Sequence, residues 1–141
     1  MLFLCKDRLI EKRSRLLRRV DLFKRYDKAV RAFTGFGPTK NHAASLANGP
    51  WVLSLDADES VSAELLESLR GADLGDPAVV YWVERHNYFL GRAVRRGGWG
   101  NDWLARLYHR DHHAFSNVPV HEKIELGEGA RSVRLAGELR H

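Results

Sequence analysis

Hydrophobic residues follow two different patterns along the chain, and the change falls near residue 34. In residues 9–32, apolar side chains recur at three- and four-residue spacing with arginines between them, which predicts a helix. Beyond that point the apolar residues gather in short runs at 51–55, 78–83 and 103–108. These runs are rich in branched and aromatic residues and therefore predict strands. The second part of the chain is thus predicted to be a mixed α/β domain.

Two short helices are predicted in this second part. Thr39 can cap a helix from about residue 40 to 46, because the turn formers that precede it end at Pro38. Ser60 or Ser62 can cap another helix at 63–70, which has acids near its start and an arginine at its end.

Two further strands and a division of the chain complete the prediction. Residues 120–126 alternate with period two, and residues 133–139 have strand composition. We divide the chain into a basic helical arm at 1–33 and a domain at 34–141. No strand is predicted ahead of Gly35.

Basic residues are concentrated in the arm. Residues 1–32 hold eleven lysines and arginines and four acids, a net charge of +7, which leaves −2 for the rest of a chain whose net charge is +5. Such an arm suits nucleic acid or an anionic membrane surface, or is simply a solvated helix face. No apolar run approaches the ~20 residues that span a bilayer. The single cysteine suits a reducing compartment.

Asp56 and Asp58 follow the predicted strand 51–55 directly, at the edge where open α/β sheets bind ligands. Two carboxylates so close repel each other, and a divalent cation relieves that repulsion. A calcium loop is excluded because Val61 stands where its glycine is required. An aspartate-nucleophile phosphatase of the haloacid dehalogenase kind and an Asp-x-Asp glycosyltransferase both stay open at this point.

Four further motifs accompany these acids in a fixed order. They are Gly35-Phe36-Gly37-Pro38-Thr39-Lys40-Asn41, Gly97-Gly98-Trp99 with Asp102, Arg106-Leu107-Tyr108 and Val120-His121-Glu122. Together with Trp51–Glu59, this series resembles family 2 glycosyltransferases. It looks most like the branch of lipopolysaccharide-core β-glucosyltransferases, over about residues 35–141.

The resemblance implies an incomplete GT-A fold and gives roles to particular residues. Asp56 and Asp58 would hold a divalent metal, Mg²⁺ or Mn²⁺, against the donor diphosphate, with Asp58 the more direct ligand. Lys40 and Asn41 would lie near the nucleotide phosphates, and Trp99 would stack on a sugar ring or act as a lid.

Inverting enzymes of this fold use a carboxylate base, and the resemblance offers two candidates. Glu122 is preferred to Asp102. His121 would point to the opposite face if the predicted strand is regular. The base would take a proton from the acceptor hydroxyl.

The implied reaction is transfer of a hexose from a nucleotide-diphospho-sugar to a lipopolysaccharide or other glycan acceptor. The expected location is the cytoplasm, with peripheral contact at the inner face of the cytoplasmic membrane. No nucleic-acid partner is expected, although the phosphatase and a basic nucleic-acid-binding module are kept as alternatives. Because the strands that should precede Gly35 are not recognisable, activity of this chain by itself is not predicted.

Overall fold

The computed structural model describes residues 2–4, 34–56, 58–94, 102–118 and 121–141. Within these ranges, strands of very different length combine with two helices. The elements are β1 (Leu2–Leu4), α1 (Phe36–Ser45), β2 (Trp51–Ser54), β3 (Ser60–Val61), α2 (Ala63–Arg70), β4 (Val79–His86), β5 (Tyr88–Phe89), β6 (Arg92–Ala93), β7 (Asp102–His109), β8 (Ala114–Phe115), β9 (Ile124–Glu125) and β10 (Arg131–Arg140).

Six of the strands form one mixed sheet in the order β1-β2-β7-β4-β10-β3. The β1–β2 and β4–β10 pairs are parallel, whereas β7 is antiparallel to both of its neighbours and β3 is antiparallel to β10. The remaining strands form two small hairpins, β5–β6 and β8–β9. The predicted α/β class is confirmed, and the arrangement is compatible with an incomplete GT-A fold.

Apolar side chains cover both faces of the sheet, which explains why β2 reads as a continuous apolar run. On one face α2 packs against the sheet through Leu65 and Leu69. On the other face Tyr108 of β7 contacts Ala44 of α1 and Phe115 of β8. All four residues of β2 are buried. The acids that follow β2 are therefore held by a strand fixed from both sides.

The predicted bounds of α2 are confirmed, and Ser62 is its cap. The Ser62 hydroxyl oxygen accepts a hydrogen bond from the Leu65 backbone N–H at 3.2 Å and another from the Glu138 N–H at 3.1 Å. Gly137 precedes Glu138 with a φ of 89°, and a Cβ there would overlap the backbone of Leu65. The Ser62 hydroxyl thus links the start of α2 to β10 next to Gly137.

Helix α1 begins earlier than the sequence predicts. It starts at Phe36 with Gly35 as its N-terminal cap, not near residue 40, and Pro38 lies inside its first turn. The N–H groups of a first turn have no partner within the helix, so a proline there removes no hydrogen bond. The Thr39 hydroxyl, predicted to cap the helix, donates instead to the carbonyl of Gly35 at 2.7 Å.

The strand predicted at 120–126 is mostly wrong. Among its described residues, 121–126, only Ile124–Glu125 forms a strand, and His121 has a φ of 60°, which breaks any regular extended run. The expectation of no strand ahead of Gly35 is also wrong, since Leu2–Leu4 pairs with β2. The helix predicted at 9–32 lies outside the described residues.

Candidate functional site

Asp56 stands two residues beyond the end of β2, and two cations face its carboxylate. Its Oδ1 atom lies 3.5 Å from Nζ of Lys40, on α1. Its Oδ2 atom lies 3.4 Å from Nη2 of Arg106, on β7. The three residues come from separate elements, and the sheet brings them to one place.

Lys40 links Asp56 to a second acid. Its ammonium nitrogen lies 3.0 Å from Oε1 of Glu122, and both side chains are only 14% exposed. The same nitrogen lies 4.8 Å from the ring centroid of Phe115, within the range of a cation–π contact. Three of the residues singled out in the sequence, Lys40, Asp56 and Glu122, are therefore in one cluster.

Arg106 also forms a buried ion pair with Glu59. The Arg106 side chain is 6% exposed, and that of Glu59 is fully buried. The register between β4 and β7 explains the direction of the Arg106 side chain. Tyr81 pairs with Leu107 and Trp82 pairs with Ala105, so Arg106 is the extra residue of a β-bulge. Bulges re-aim side chains in this way beside functional sites.

The sequence analysis predicted no role for Glu59 or Arg106, although both lie inside the motifs quoted there. Glu59 also accepts a hydrogen bond from the Asp56 backbone N–H at 3.0 Å. Together, Glu59 and Arg106 fix the backbone and the carboxylate of Asp56.

The charges at this cluster shift two carboxyl pKa values in opposite directions. Burial by itself would raise the pKa of Asp56, but the charges of Arg106 and Lys40 outweigh it and hold the pKa below its ordinary value. Burial raises the pKa of Glu59, against the opposing charge of Arg106. Asp56 is therefore firmly anionic near neutral pH.

In the described part of the chain, the carboxylate of Asp58 contacts none of the charged side chains of this cluster. Its side chain is 69% exposed, and its Oδ2 atom lies 3.2 Å from Nε2 of His141. The other ring nitrogen of His141 lies 2.9 Å from the side-chain oxygen of Asn87. Because that oxygen only accepts hydrogen bonds, Nδ1 is the donor, and Nε2 of a neutral ring then presents a lone pair to the carboxylate. His141 lies in none of the motifs on which the sequence prediction rests.

The remaining candidates lie elsewhere. The side-chain amide of Asn41 makes two hydrogen bonds of 2.8 Å with the backbone of Phe115, so it ties α1 to β8. Asp102 is half-exposed and pairs with Arg85 of β4 at 2.9 Å. Trp99 lies outside the described residues. In the described ranges no group of three or more potential metal-ligating side chains is present.

Comparison with known families identifies the domain to which this site belongs. The family model described as Glycosyl transferase family 2 matches residues 18–125, about three quarters of the chain. The chain belongs to glycosyl transferase family 2. The matched range includes Lys40, Asp56, Arg106 and Glu122, and it begins inside the segment assigned to the basic arm.

This family 2 glycosyltransferase therefore uses a nucleotide-sugar donor and an acceptor. Family membership favours the glycosyltransferase interpretation of the sequence over the phosphatase and the nucleic-acid-binding module. Members of the family commonly use a divalent metal. In the described part of the glycosyltransferase, no helix is long and apolar enough to cross a membrane.

Gly37 determines how closely α1 approaches the segment that carries Glu122. A Cβ at Gly37 would overlap the carbonyl oxygen of Ser116 and would lie 3.7 Å from the Cβ of Glu122. The contact is with backbone, which cannot swing aside as a flexible side chain does. The short distance between Lys40 and Glu122 thus depends on a glycine at this position.

The Gly37→Ala variant is expected to lower the free energy of unfolding by about 1–3 kcal/mol, the usual cost of overpacking. Urea unfolding of the variant measures the change. Gly71→Ala is the control, since a Cβ there meets only ordinary contacts. Equal stability of the two variants would contradict the assigned close approach.

Proposed function

We propose that this glycosyltransferase transfers a hexose from a nucleotide-diphospho-sugar to a lipopolysaccharide or other glycan acceptor, with inversion and with help from a divalent metal. The observation that carries the proposal is the position of the Lys40 ammonium, 3.0 Å from Glu122 and 3.5 Å from Asp56. The Lys40 ammonium thus lies between Glu122, which would act as the base, and Asp56, which the buried Arg106–Glu59 ion pair holds in place.

Lys40 is suited to receive the donor diphosphate. An ammonium is a point charge with three donors on a flexible stem, so it can exchange a carboxylate partner for phosphate oxygens. Asp56, whose Oδ1 atom lies 3.5 Å from the ammonium nitrogen, would hold that ammonium near the phosphates, and the lowered pKa of Asp56 keeps the pair charged. When Lys40 turns to the diphosphate, the carboxylate of Glu122 loses its partner and is free to accept a hydrogen bond from the acceptor hydroxyl.

Glu122 would then take the proton of the acceptor hydroxyl. The hydroxyl oxygen forms a bond to the anomeric carbon as the bond from that carbon to the diphosphate oxygen breaks. The nucleoside diphosphate leaves with the electron pair, and the proton stays on Glu122. A single displacement of this kind inverts the anomeric centre.

Asp58 and His141 are the residues that fit a divalent metal. Their facing atoms, Oδ2 and Nε2, lie 3.2 Å apart, and with a neutral imidazole both present lone pairs that a cation can bind. Asn87 supports the ring from behind, as outer hydrogen bonds do at metal-bound histidines. Bound there, Mg²⁺ or Mn²⁺ would neutralise charge on the leaving diphosphate. A metal-ligating role for Asp56 stays a prediction, since the described partners of Asp56 are cations.

The acceptor class rests on the series of motifs, which looks most like the lipopolysaccharide-core branch. A lipid-linked glycan of that kind would be met at the inner face of the cytoplasmic membrane. This location is part of the proposal.

Calorimetric titration of UDP-glucose in the presence of Mn²⁺ tests the donor and metal assignments. We expect binding that chelation of the metal removes and that Asp58→Asn weakens about 10–100-fold, through loss of a metal ligand. Asp111→Asn is the matched control, because Asp111 is similarly exposed and lies 3.9 Å from a ring nitrogen of His109.

Binding that persists after chelation would contradict the metal assignment. Absence of any heat with UDP-glucose and with other nucleotide-diphospho-sugars would contradict the proposed donor. An equal loss in Asp111→Asn would show that the effect is not specific to the Asp58–His141 pair.

A further inference from the structure

The β5–β6 hairpin exposes two large apolar side chains at its tip. Phe89 is 70% exposed and Leu90 is 88% exposed, the highest values among the exposed large apolar residues of the described chain. Their neighbours across the turn are Gly91 and Arg92. Two adjacent apolar side chains that project from a turn have no core to join within the described residues.

The backbone conformation makes the leucine at this tip unexpected. Leu90 has a φ of 49° and Gly91 a φ of 76°, as in the two-residue turns of tight hairpins. Such turns favour asparagine or glycine at both positions, since a larger side chain is strained at positive φ. The backbone of Leu90 is therefore strained, and its side chain is almost fully exposed to water. Strain of this kind is typical of residues kept for binding.

The hairpin is rigidly attached to the sheet. The Tyr88 hydroxyl donates to Glu138 at 3.1 Å, and the Tyr88 backbone N–H donates to the carbonyl of His141 at 2.7 Å. At the other end, the Val94 N–H donates to the carbonyl of Asn87 at 2.8 Å. Phe89 and Leu90 thus project from a fixed support, and that support includes both His141 and its partner Asn87.

The charged residues along this stretch of sequence have one sign. Residues 88–101 contain three arginines, Arg92, Arg95 and Arg96, and no acidic residue. Arg92, beside the turn, is exposed. A protruding apolar tip with an exposed arginine beside it matches an anionic bilayer, where apolar side chains enter the lipid boundary and an arginine pairs with a lipid phosphate.

We propose that the β5–β6 hairpin docks the protein on an anionic lipid surface, with Phe89 and Leu90 entering the lipid and Arg92 pairing with a headgroup. This surface adjoins His141 and is separate from the cluster of Lys40, Asp56 and Glu122. Docking would bring the Asp58–His141 pair close to the membrane plane. A protruding two-residue tip suits a deformable lipid surface better than a preformed protein groove.

Sedimentation with lipid vesicles tests the proposal without any need for activity. The protein is expected to bind vesicles of phosphatidylcholine with phosphatidylglycerol and to bind phosphatidylcholine alone much more weakly. The double variant Phe89→Ser/Leu90→Ser should lose about 30-fold or more in affinity, given the apolar area withdrawn from the lipid. The matched control is Leu46→Ser/Leu126→Ser, which removes two exposed leucines elsewhere and should bind as the parent does.

Three results would overturn the proposal. One is the absence of binding by the parent protein, or equal binding to both kinds of vesicle. Another is undiminished binding by the Phe89/Leu90 variant. The third is self-association of the parent in solution, detected by sedimentation velocity and removed by the same variant, which would make the hairpin an interface between two copies. Far-ultraviolet circular dichroism of both double variants verifies that each is folded.

Discussion

Replacement of Glu122 by glutamine is expected to lower kcat by about 10²–10⁴-fold, the usual contribution of a general base. Glutamine has nearly the same shape, but its amide cannot take the acceptor proton. Lys40 keeps Asp56 as a partner at 3.5 Å, so the binding of the donor should change little. The measurement is steady-state kinetics with saturating donor, together with calorimetric titration of the same variant.

Asp102→Asn is the control, because Asp102 is the second carboxylate that the sequence offers as a base. Asp102 pairs with Arg85 and has no described contact with Lys40 or Asp56, so its variant should keep most of its activity. The reverse result, with Asp102→Asn inactive and Glu122→Gln active, would transfer the base to Asp102. Equal loss of donor affinity and kcat in Glu122→Gln would show that Glu122 holds Lys40 in place and does not accept the proton.

The second large effect concerns stability. Arg106→Met is expected to lower the free energy of unfolding by about 3–5 kcal/mol at neutral pH, because it leaves the buried carboxylate of Glu59 without its counter-charge. Arg70→Met is the matched control. Arg70 pairs with Glu67 on the exposed side of α2, and surface pairs of this kind are worth about 1 kcal/mol or less. Urea unfolding of both variants measures the difference.

The pH dependence of this deficit has a definite sign. Burial already raises the pKa of Glu59, and removal of the guanidinium raises it further. The folded variant then holds a proton that the unfolded chain releases above the ordinary glutamate pKa of about 4.5. Because the folded state binds more protons, its stability falls as the pH rises above that value. The deficit should therefore be larger at about pH 7 than at about pH 5.

A double variant separates charge from packing. Arg106→Met/Glu59→Leu removes both charges and should recover much of the lost stability, as replacement of buried ion pairs by apolar residues often does. A deficit in Arg106→Met that does not depend on pH and that Glu59→Leu does not relieve would show that Arg106 stabilises the fold through packing alone.

The elements with a strong local signal were predicted well. Strands β2, β4 and β7 are apolar runs bounded by turn formers, and α2 has a serine cap, acids at its start and an arginine at its end. In these segments local propensity and tertiary packing favour the same conformation. For this reason the sequence alone places Asp56 and Asp58 at the end of a buried strand.

The failures arise where distant contacts decide the local structure. The alternation at 120–126 resembles a strand, but His121 takes a positive φ and Glu122 turns toward Lys40. The first turn of α1 accommodates Pro38, so the proline did not mark the helix start. Period and propensity describe neighbours in the sequence, whereas these positions are determined by partners far away along the chain.

Arg106 and His141 were not predicted as site residues for the same reason. Arg106 is aimed by a β-bulge, which depends on the register between β7 and β4 and leaves no trace in the local pattern. His141 meets Asp58 across 83 residues of sequence. Each lies beside a predicted acid, so the motifs located the site but not its full set of residues.

The position of β10 in the sheet has a consequence for synthesis of the protein on the ribosome. β10 is synthesised after every other described strand, yet it lies between β4 and β3 and supplies Leu135 and Leu139 to the core beneath α2. Until β10 has been translated, one edge of β4 is unpaired and the apolar face of α2 is uncovered. Such edges are prone to aggregation. The nascent chain is therefore exposed to aggregation, or depends on a chaperone, until β10 emerges.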